Sequence, residues 1–310
     1  NMDRIEFYDK NTIKNIQIDY PDIYFTPEYG LACEYSDNAE WECCVYKDLI
    51  YVYLKKTITH NNNTYYDLIT PYGYSGYYFL LKDTYDEFLS LFREEALKRR
   101  YIAEVVRQNP YINIQITDYE LLTSKTIYTI NISNFEDYYK NTLTNKKRNM
   151  FNKALKQNLR FKITHLCNGI LNEKFIKLYD FTMNKVNANK YYYFNDNYYK
   201  SLEKIQNTYL SEILDHNDNT IGCAIIFIYN KYIHYHLSCN DNSMNCITDF
   251  LLINIAKEFG IGKKIILGCG LKDNDELSKF KRSLCNETLI YNIYKNIINQ
   301  DIYNELTKDK

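Results

Sequence analysis

"IILGCGLKDNDELSKFKRSL", Ile265 to Leu284, leads from an apolar run through a Gly-Cys-Gly corner and a polar loop into a short lysine-rich segment. The corner is not a phosphate-binding P-loop, because G-x-x-x-x-G-K-[ST] is absent. Gly268 and Gly270 most simply permit positive φ and close backbone approach where a strand ends. "IILGCG" is therefore expected to be a strand and "LSKFKRSL" a helix. On a wheel of ~100° per residue, Leu277, Phe280 and Leu284 share a face. Lys281 falls ~40° from Leu277, whereas Lys279 and Arg282 point away. Lys281 would then border a buried stripe, its stem packed and its ammonium aimed along a cleft. The plainer alternative is a lysine that only snorkels.

Upstream, "CITDFLLINIAKEFG" sets Ile247, Phe250, Leu251, Asn254 and Ile255 on one helical face and stops at Gly260. Before it stand two strands, "TIGCAIIFIYN" and "KYIHYHLSCN". Strict alternation in the second puts His234, His236 and Ser238 on one face. H-x-H could bind a metal, but no third ligand stands at a telling spacing, so no metal is expected. A polar wall along a cleft fits better. His236 is then a candidate base for an attacking amine, against the alternative of hydrogen-bonded structural histidines. Two helices, "NEKFIKLYDFTMNKV" and "NDNYYKSLEKI", precede these strands. A basic helix with a strand behind it, "TNKKRNMFNKALKQNLRFKI", comes earlier still. Its Lys146, Lys147, Arg148, Lys153, Lys156 and Arg160 form either a solvated face or a set of phosphate contacts. Ser133 and Glu136 have capping-box spacing ahead of "FEDYYKNTL".

The N-terminal half also reads as strands, a helix and strands. "CCVYKDLIYVYLKK" is strand-like. "YYDLITPYGYSGYYF" is a strand running into a turn-rich loop at Pro71, Gly73 and Gly76. "DTYDEFLSLFREEALKRR" spaces Tyr85, Phe88, Leu89, Phe92 and Ala96 helically. "IAEVVRQNPYI" is a strand ended by Pro110. The whole is α+β. Length suggests two domains, 1–140 and 141–310, with the C-terminal segment free to pack back on the first.

A formal net charge of -1 over 310 residues argues against a protein that coats nucleic acid, though it leaves room for a local basic patch. The 34 tyrosines accompany many Asn, Lys and Ile and read mainly as genome composition. The nine cysteines are odd in number, mostly in apolar runs, and form no C-x-x-C. They favour reduced thiols and a cytoplasmic setting. The longest apolar stretch, "IGCAIIFIY", is far short of the ~20 residues of a membrane helix. No secretory signal opens the chain.

Seven stretches in order carry a resemblance: "DIYFTPEY", "DLITPYGYSGYY", "IAEVVRQNPY", "NKKRNMFNKALKQNLRF", "KYYYF", "HYHLSCND" and "LGCGL...SKFKRSL". Over nearly its whole length the chain resembles FemAB-like proteins of the acetyltransferase (GNAT) superfamily. The resemblance implies two GNAT-like domains, each a mixed sheet flanked by helices. It also implies transfer of an acyl or aminoacyl group to an amine, commonly on a peptidoglycan precursor or a surface-polysaccharide sugar. The Gly-Cys-Gly corner would lie beside the active cleft. The family's Phe-Lys pair matches Phe280 and Lys281, where the lysine is implicated in holding anionic substrate. The same charge could steady a developing oxyanion. Tyr74 in "TPYGYSGYY" and Tyr193 in "NKYYYF" could stack on sugar or base.

One departure bears on the donor. The glycine-rich pyrophosphate loop of CoA-dependent GNAT proteins would fall at "NDNSMNCITDF", which has no glycine. The expected activity is N-acyl transfer with no tightly bound cofactor. Its co-substrate would be aminoacyl-tRNA or an acyl-CoA, and its acceptor a small-molecule or cell-envelope precursor. The rival from another class is a non-catalytic binder of a sugar nucleotide or glycan. For the thiols, titration under denaturing conditions is expected to return all nine; a pair released only by reductant would overturn the reduced-compartment reading.

Overall fold

The computed structural model describes residues 4–112, 116, 118–270, 272 and 274–308. The chain forms two compact units, one of residues up to Ser124 with those from Ile290 onward, the other of Lys125–Leu289. The division falls inside strands, at 124/125 and 289/290, and not at a loop near residue 140. No turn residue marks a strand that crosses between units, so its sequence gives no boundary signal.

The first unit contains β1 (Glu6–Asp9), α1 (Pro27–Asp37), β2 (Glu40–Tyr46), β3 (Leu49–His60), β4 (Asn63–Ile69), β5 (Gly76–Tyr78), α2 (Lys82–Lys98) and β6 (Tyr101–Arg107). Its sheet order is β1-β2-β3-β4-β6, with β5 on β3; β4 and β6 are parallel and α2 connects them. "CCVYKDLIYVYLKK" is a hairpin and not one strand. It turns at Lys47, whose φ is 52°, without a Gly or Asn to announce the turn. Tyr85, Phe88, Leu89, Phe92 and Ala96 of α2 are all buried, as their spacing requires. Trp41, the single tryptophan, lies against Gly30, where any added Cβ would fall 2.2 Å from the indole.

Buried carboxylates ringed by tyrosines set the core of this unit. Glu104 accepts hydrogen bonds from Tyr51 (2.9 Å), Tyr77 (2.8 Å), Tyr119 (2.9 Å) and the Asn296 amide (3.0 Å). Glu42 accepts from Tyr53 and Tyr101 and pairs with Lys55 at 3.2 Å. Burial still pushes the Glu104 carboxyl above its usual range, with the donors opposing that shift. These tyrosines are therefore not filler supplied by codon bias. Their rings pack the core and their hydroxyls make a buried carboxylate tolerable.

The second unit begins within β7 (Glu120–Asn131), and its helices and strands follow in order. These are α3 (Phe135–Asp137), α4 (Asn145–Lys156), β8 (Arg160–His165), α5 (Ile170–Lys174), α6 (Ile176–Lys185), α7 (Asp196–Leu202), β9 (Thr208–Leu214), β10 (Thr220–Tyr229), β11 (Tyr232–Asn240), α8 (Ile247–Phe259), β12 (Lys264–Gly268) and α9 (Glu276–Arg282). The unit ends within β13 (Glu287–Ile297), after which α10 (Gln300–Thr307) belongs to the first unit, where β13 pairs with β6. The sheet order is β7-β12-β11-β10-β9-β8. The cap before α3 is Asn134, one residue later than the Ser133 capping box expected. One cluster, with α8 at its centre, gathers Phe151 and Ala154 of α4, Ala224 and Ile226 of β10, Ile233 of β11 and Ile265 of β12.

β11 and β12 are parallel and joined by α8, but they pair only over Tyr232–His234 and Lys264–Ile266. β11 then runs on to Asn240 while β12 ends at Gly268, so the two part at their C-terminal ends. A crevice beyond the carboxyl ends of parallel strands is where open α/β sheets take ligands. For the tyrosine ring of the first unit, Tyr77→Phe deletes one hydroxyl and keeps the aromatic packing. It is expected to cost about 1.5–3 kcal/mol, the value of a hydrogen bond to a charged group, read from the urea midpoint.

Candidate active site

The end of β12 and helix α9 form the corner anticipated from "IILGCGLKDNDELSKFKRSL". Gly268 has φ 82°, a conformation that favours glycine. Gly270 is required by closeness. An added Cβ would fall 2.2 Å from the Ser278 hydroxyl and 2.3 Å from the Asp275 carboxylate, which caps α9 by accepting from the Ser278 amide at 2.7 Å.

The wheel is rotated from its expected setting. Leu277 is 46% exposed and does not belong to the buried stripe, whereas Ser278 is buried, its hydroxyl donating to the Lys272 carbonyl at 3.1 Å. The Asp275 cap and Ser278 turn the helix inward on a polar residue, which hydrophobic periodicity does not register. Leu284 is buried, and Phe280 is half-buried against the α8 cluster. Lys281 is half-buried and donates to the Cys269 carbonyl at 2.9 Å, bridging the helix to the corner. Burial pushes its ammonium below the usual lysine range, opposed by Cys269, Cys285 and Asp275. Lys279 makes a surface pair with Glu276, and Arg282 donates to Tyr128 and Asn274.

Beside Phe280 sits a lysine expected either on a solvated face or among phosphate contacts, and it is neither exposed nor without a protein partner. Lys147 is 6% exposed; its ammonium lies 2.6 Å from Asp249 Oδ1 and 4.0 Å from the centre of the Phe280 ring. The pair links α4, the first turn of α8 and α9. A signal was present: Lys147, Phe151 and Ala154 share one helical face, and that face is the buried one. Arg148 is also engaged, donating to the carbonyls of Tyr139, Lys140 and Leu143. Lys146, Lys153 and Lys156 are exposed.

The histidine strand departs from strict alternation. Between β10 and β11 the register slips: Ile225 faces Leu237, Ile226 faces Tyr235, and His236 is the extra residue. The bulge returns Ser238 to the other face, opposite Ala224, where it hydrogen-bonds the Tyr235 phenol. His234 lies opposite Phe227, and the His236 ring is 4.5 Å from the Phe227 ring. His234 and His236 are thus brought together, and Ser238 is not with them. His236 Nε2 meets the Tyr198 hydroxyl of α7 at 2.6 Å, a partner with no sequence signal. Burial, aided by His234, holds the imidazole well below its usual range and so neutral. Phe280 packs with the α8 cluster, on the Ser238 face of the sheet. Tyr193 donates to Asn184 Oδ1 at 2.7 Å, beside α6. Tyr74 belongs to the first unit, its ring edge-on to Tyr24 and Tyr291.

Among the described residues no group of three or more His, Cys, Asp or Glu could hold a metal ion, and no helix is long and apolar enough to cross a membrane. The segment between β11 and α8 reaches the helix through Cys246, which makes no side-chain capping bond.

No protein-family model matches the chain, and no curated protein does. Solved structures do. The chain is similar to FemX at a TM-score of 0.67 and 12% identity, over 93% of this chain and 95% of that one. It is similar to the C-terminal domain of a putative lysylphosphatidylglycerol synthetase from Agrobacterium fabrum at TM-score 0.60 and 10% identity, over 97% and 94%. An L-PGS from Bacillus licheniformis matches at TM-score 0.56 and 14% identity, over 86% of each chain. The chain shares the fold of FemX and of these two synthetase structures, in line with the fold that the sequence resemblance implies. With no glycine between β11 and α8, calorimetric titration with acetyl-CoA is expected to show weak binding or none. Micromolar affinity would instead favour an acyl-CoA donor.

Proposed function

We propose that this chain is an N-acyltransferase. It moves an acyl or aminoacyl group from an activated ester or thioester to an amine of a cell-wall or surface-polysaccharide precursor. One observation carries the reading. At the carboxyl end of β12, where β11 and β12 part, Lys281 is held 2.9 Å from the Cys269 carbonyl with its ammonium partly desolvated. A cation in that setting attracts an anionic group or a developing oxyanion more strongly than one in water. The FemX-like fold supports acyl transfer as the reaction class. Aminoacyl-tRNA is the preferred donor, since nothing between β11 and α8 replaces the missing glycine loop. All nine cysteines are free, which supports a cytoplasmic setting.

The mechanism is direct attack. The substrate amine adds to the donor carbonyl, and Lys281 with backbone N–H groups steadies the tetrahedral oxyanion. The amine's proton passes to water, since the register slip leaves His236 against Phe227 and Tyr198, on the sheet face away from Phe280 and the α8 cluster. The alcohol or thiol of the donor departs as the amide forms.

Native mass spectrometry against aminoacyl-tRNA, CoA thioesters and sugar nucleotides tests the donor. Activity abolished by RNase identifies tRNA, and tight sugar-nucleotide binding without turnover would favour a non-catalytic binder. For the residue, Lys281→Ala is expected to lower the transfer rate roughly ten- to hundredfold, as loss of a charge-assisted bond of about 1.5–3 kcal/mol implies. Lys279→Ala should change it little. Equal rates for the two variants, both folded, would remove Lys281 from the mechanism.

A further inference from the structure

Helix α9 carries Phe280 and Lys281 side by side, yet little holds it. It is seven residues long, too short to be stable alone, and Ser278 is its single buried residue. Leu277, Lys279 and Arg282 are exposed. Its placement rests on the Asp275 cap, the Arg282 contacts with Tyr128 and Asn274, the half-buried Phe280 ring and the Lys281 bond to Cys269. Over that ring stands the Lys147 ammonium, 4.0 Å from its centre. The ammonium cannot drift to water, because Asp249 Oδ1 binds it at 2.6 Å and both residues are buried. A desolvated cation over a ring face is the strong form of the cation–π interaction.

We infer that Lys147 is a positioning residue: pinned by Asp249 and seated on the face of Phe280, it sets the placement of α9 and so delivers Lys281 to the Cys269 carbonyl. The inference rests on the reading of Lys281 given above and deepens it. Lys147 touches no substrate in this scheme, because its charge is already committed to Asp249 and Phe280. The arrangement accounts for a buried lysine on the apolar face of α4 and for an acid in the first turn of α8, each of which supplies what the other lacks. It also explains why Phe280 is aromatic: an aliphatic side chain would fill the space but offer the cation no π face.

The test needs no substrate. Competitive acylation with acetic anhydride across a pH series, followed by peptide mapping, reports the ionisation midpoint of Lys281 in the folded protein and in urea. In the wild type the folded midpoint lies below the unfolded one, because burial outweighs Cys269, Cys285 and Asp275. The main variant is Lys147→Met with Asp249→Leu, which removes the cation without stranding its partner. Buried ion pairs replaced by apolar residues of similar size commonly keep their folds. Near-UV circular dichroism checks that fold. The expected result is that the gap between the two midpoints closes by roughly half or more, as a lysine released from burial requires.

Lys147→Arg, which keeps a cation over the ring, should retain the gap. Phe280→Leu should close it, and serves if the double variant does not fold. An undiminished gap in the folded double variant or in Phe280→Leu would overturn the inference, as would a gap lost equally in Lys147→Arg. Because no turnover is measured, such a result leaves the transfer assay on Lys281→Ala to decide the catalytic reading by itself. A silent transferase assay leaves this measurement standing in turn.

Discussion

The second unit depends on one charge that has nowhere else to go. Lys147 is walled in by α4, α8 and α9, and an ammonium in that setting persists only with a partner. Asp249 supplies the partner from the first turn of α8, where a carboxylate is also favoured by the helix dipole. Burial raises the Asp249 carboxyl, and Lys147 opposes that shift. The pair and the Phe280 ring thereby bring α4, α8 and α9 to a single point.

A second constraint is the bulge at His236. One extra residue between Ile225 and Ile226 in register reverses the facing of everything after it on β11. It sets His236 against Phe227 and Tyr198 and turns Ser238 toward the α8 cluster. The strand loses its pairing with β12 at the same place, after His234. Bulges recur next to active sites because they re-aim a side chain and end a ladder together, and both happen here.

Much of the architecture was legible because it follows periodicity. The face of α2, the end of α8 at Gly260 and the strand through "IILG" come from spacing and from where glycine stands, whereas α8 is buried nearly all round and not on one face. What was not legible depends on partners far away in sequence. A lysine at the fourth-residue spacing from Phe151 reads as a solvated charge until Asp249 is seen beside it, 102 residues later. A bulge has no residue signature, so His236 and Ser238 read as neighbours. Leu277 is exposed because the inward position of α9 goes to a serine that satisfies the Lys272 carbonyl, a polar task invisible to a hydrophobic wheel. A count of tyrosines does not reveal that three of them, with the Asn296 amide, converge on Glu104.

The division of the chain orders its own synthesis. The second unit is one unbroken run, Lys125–Leu289, whereas the first is completed by residues from Ile290 onward. Until that last segment is made, Ala103–Arg107 of β6 lack the strand they finally pair with, and Glu104 lacks the amide of Asn296. The half that begins first on the ribosome is thus finished last, after the other has every residue it needs. Loss of Ile293–Ile297 therefore strikes the first unit, exposing an unpaired strand edge of the kind that recruits other chains.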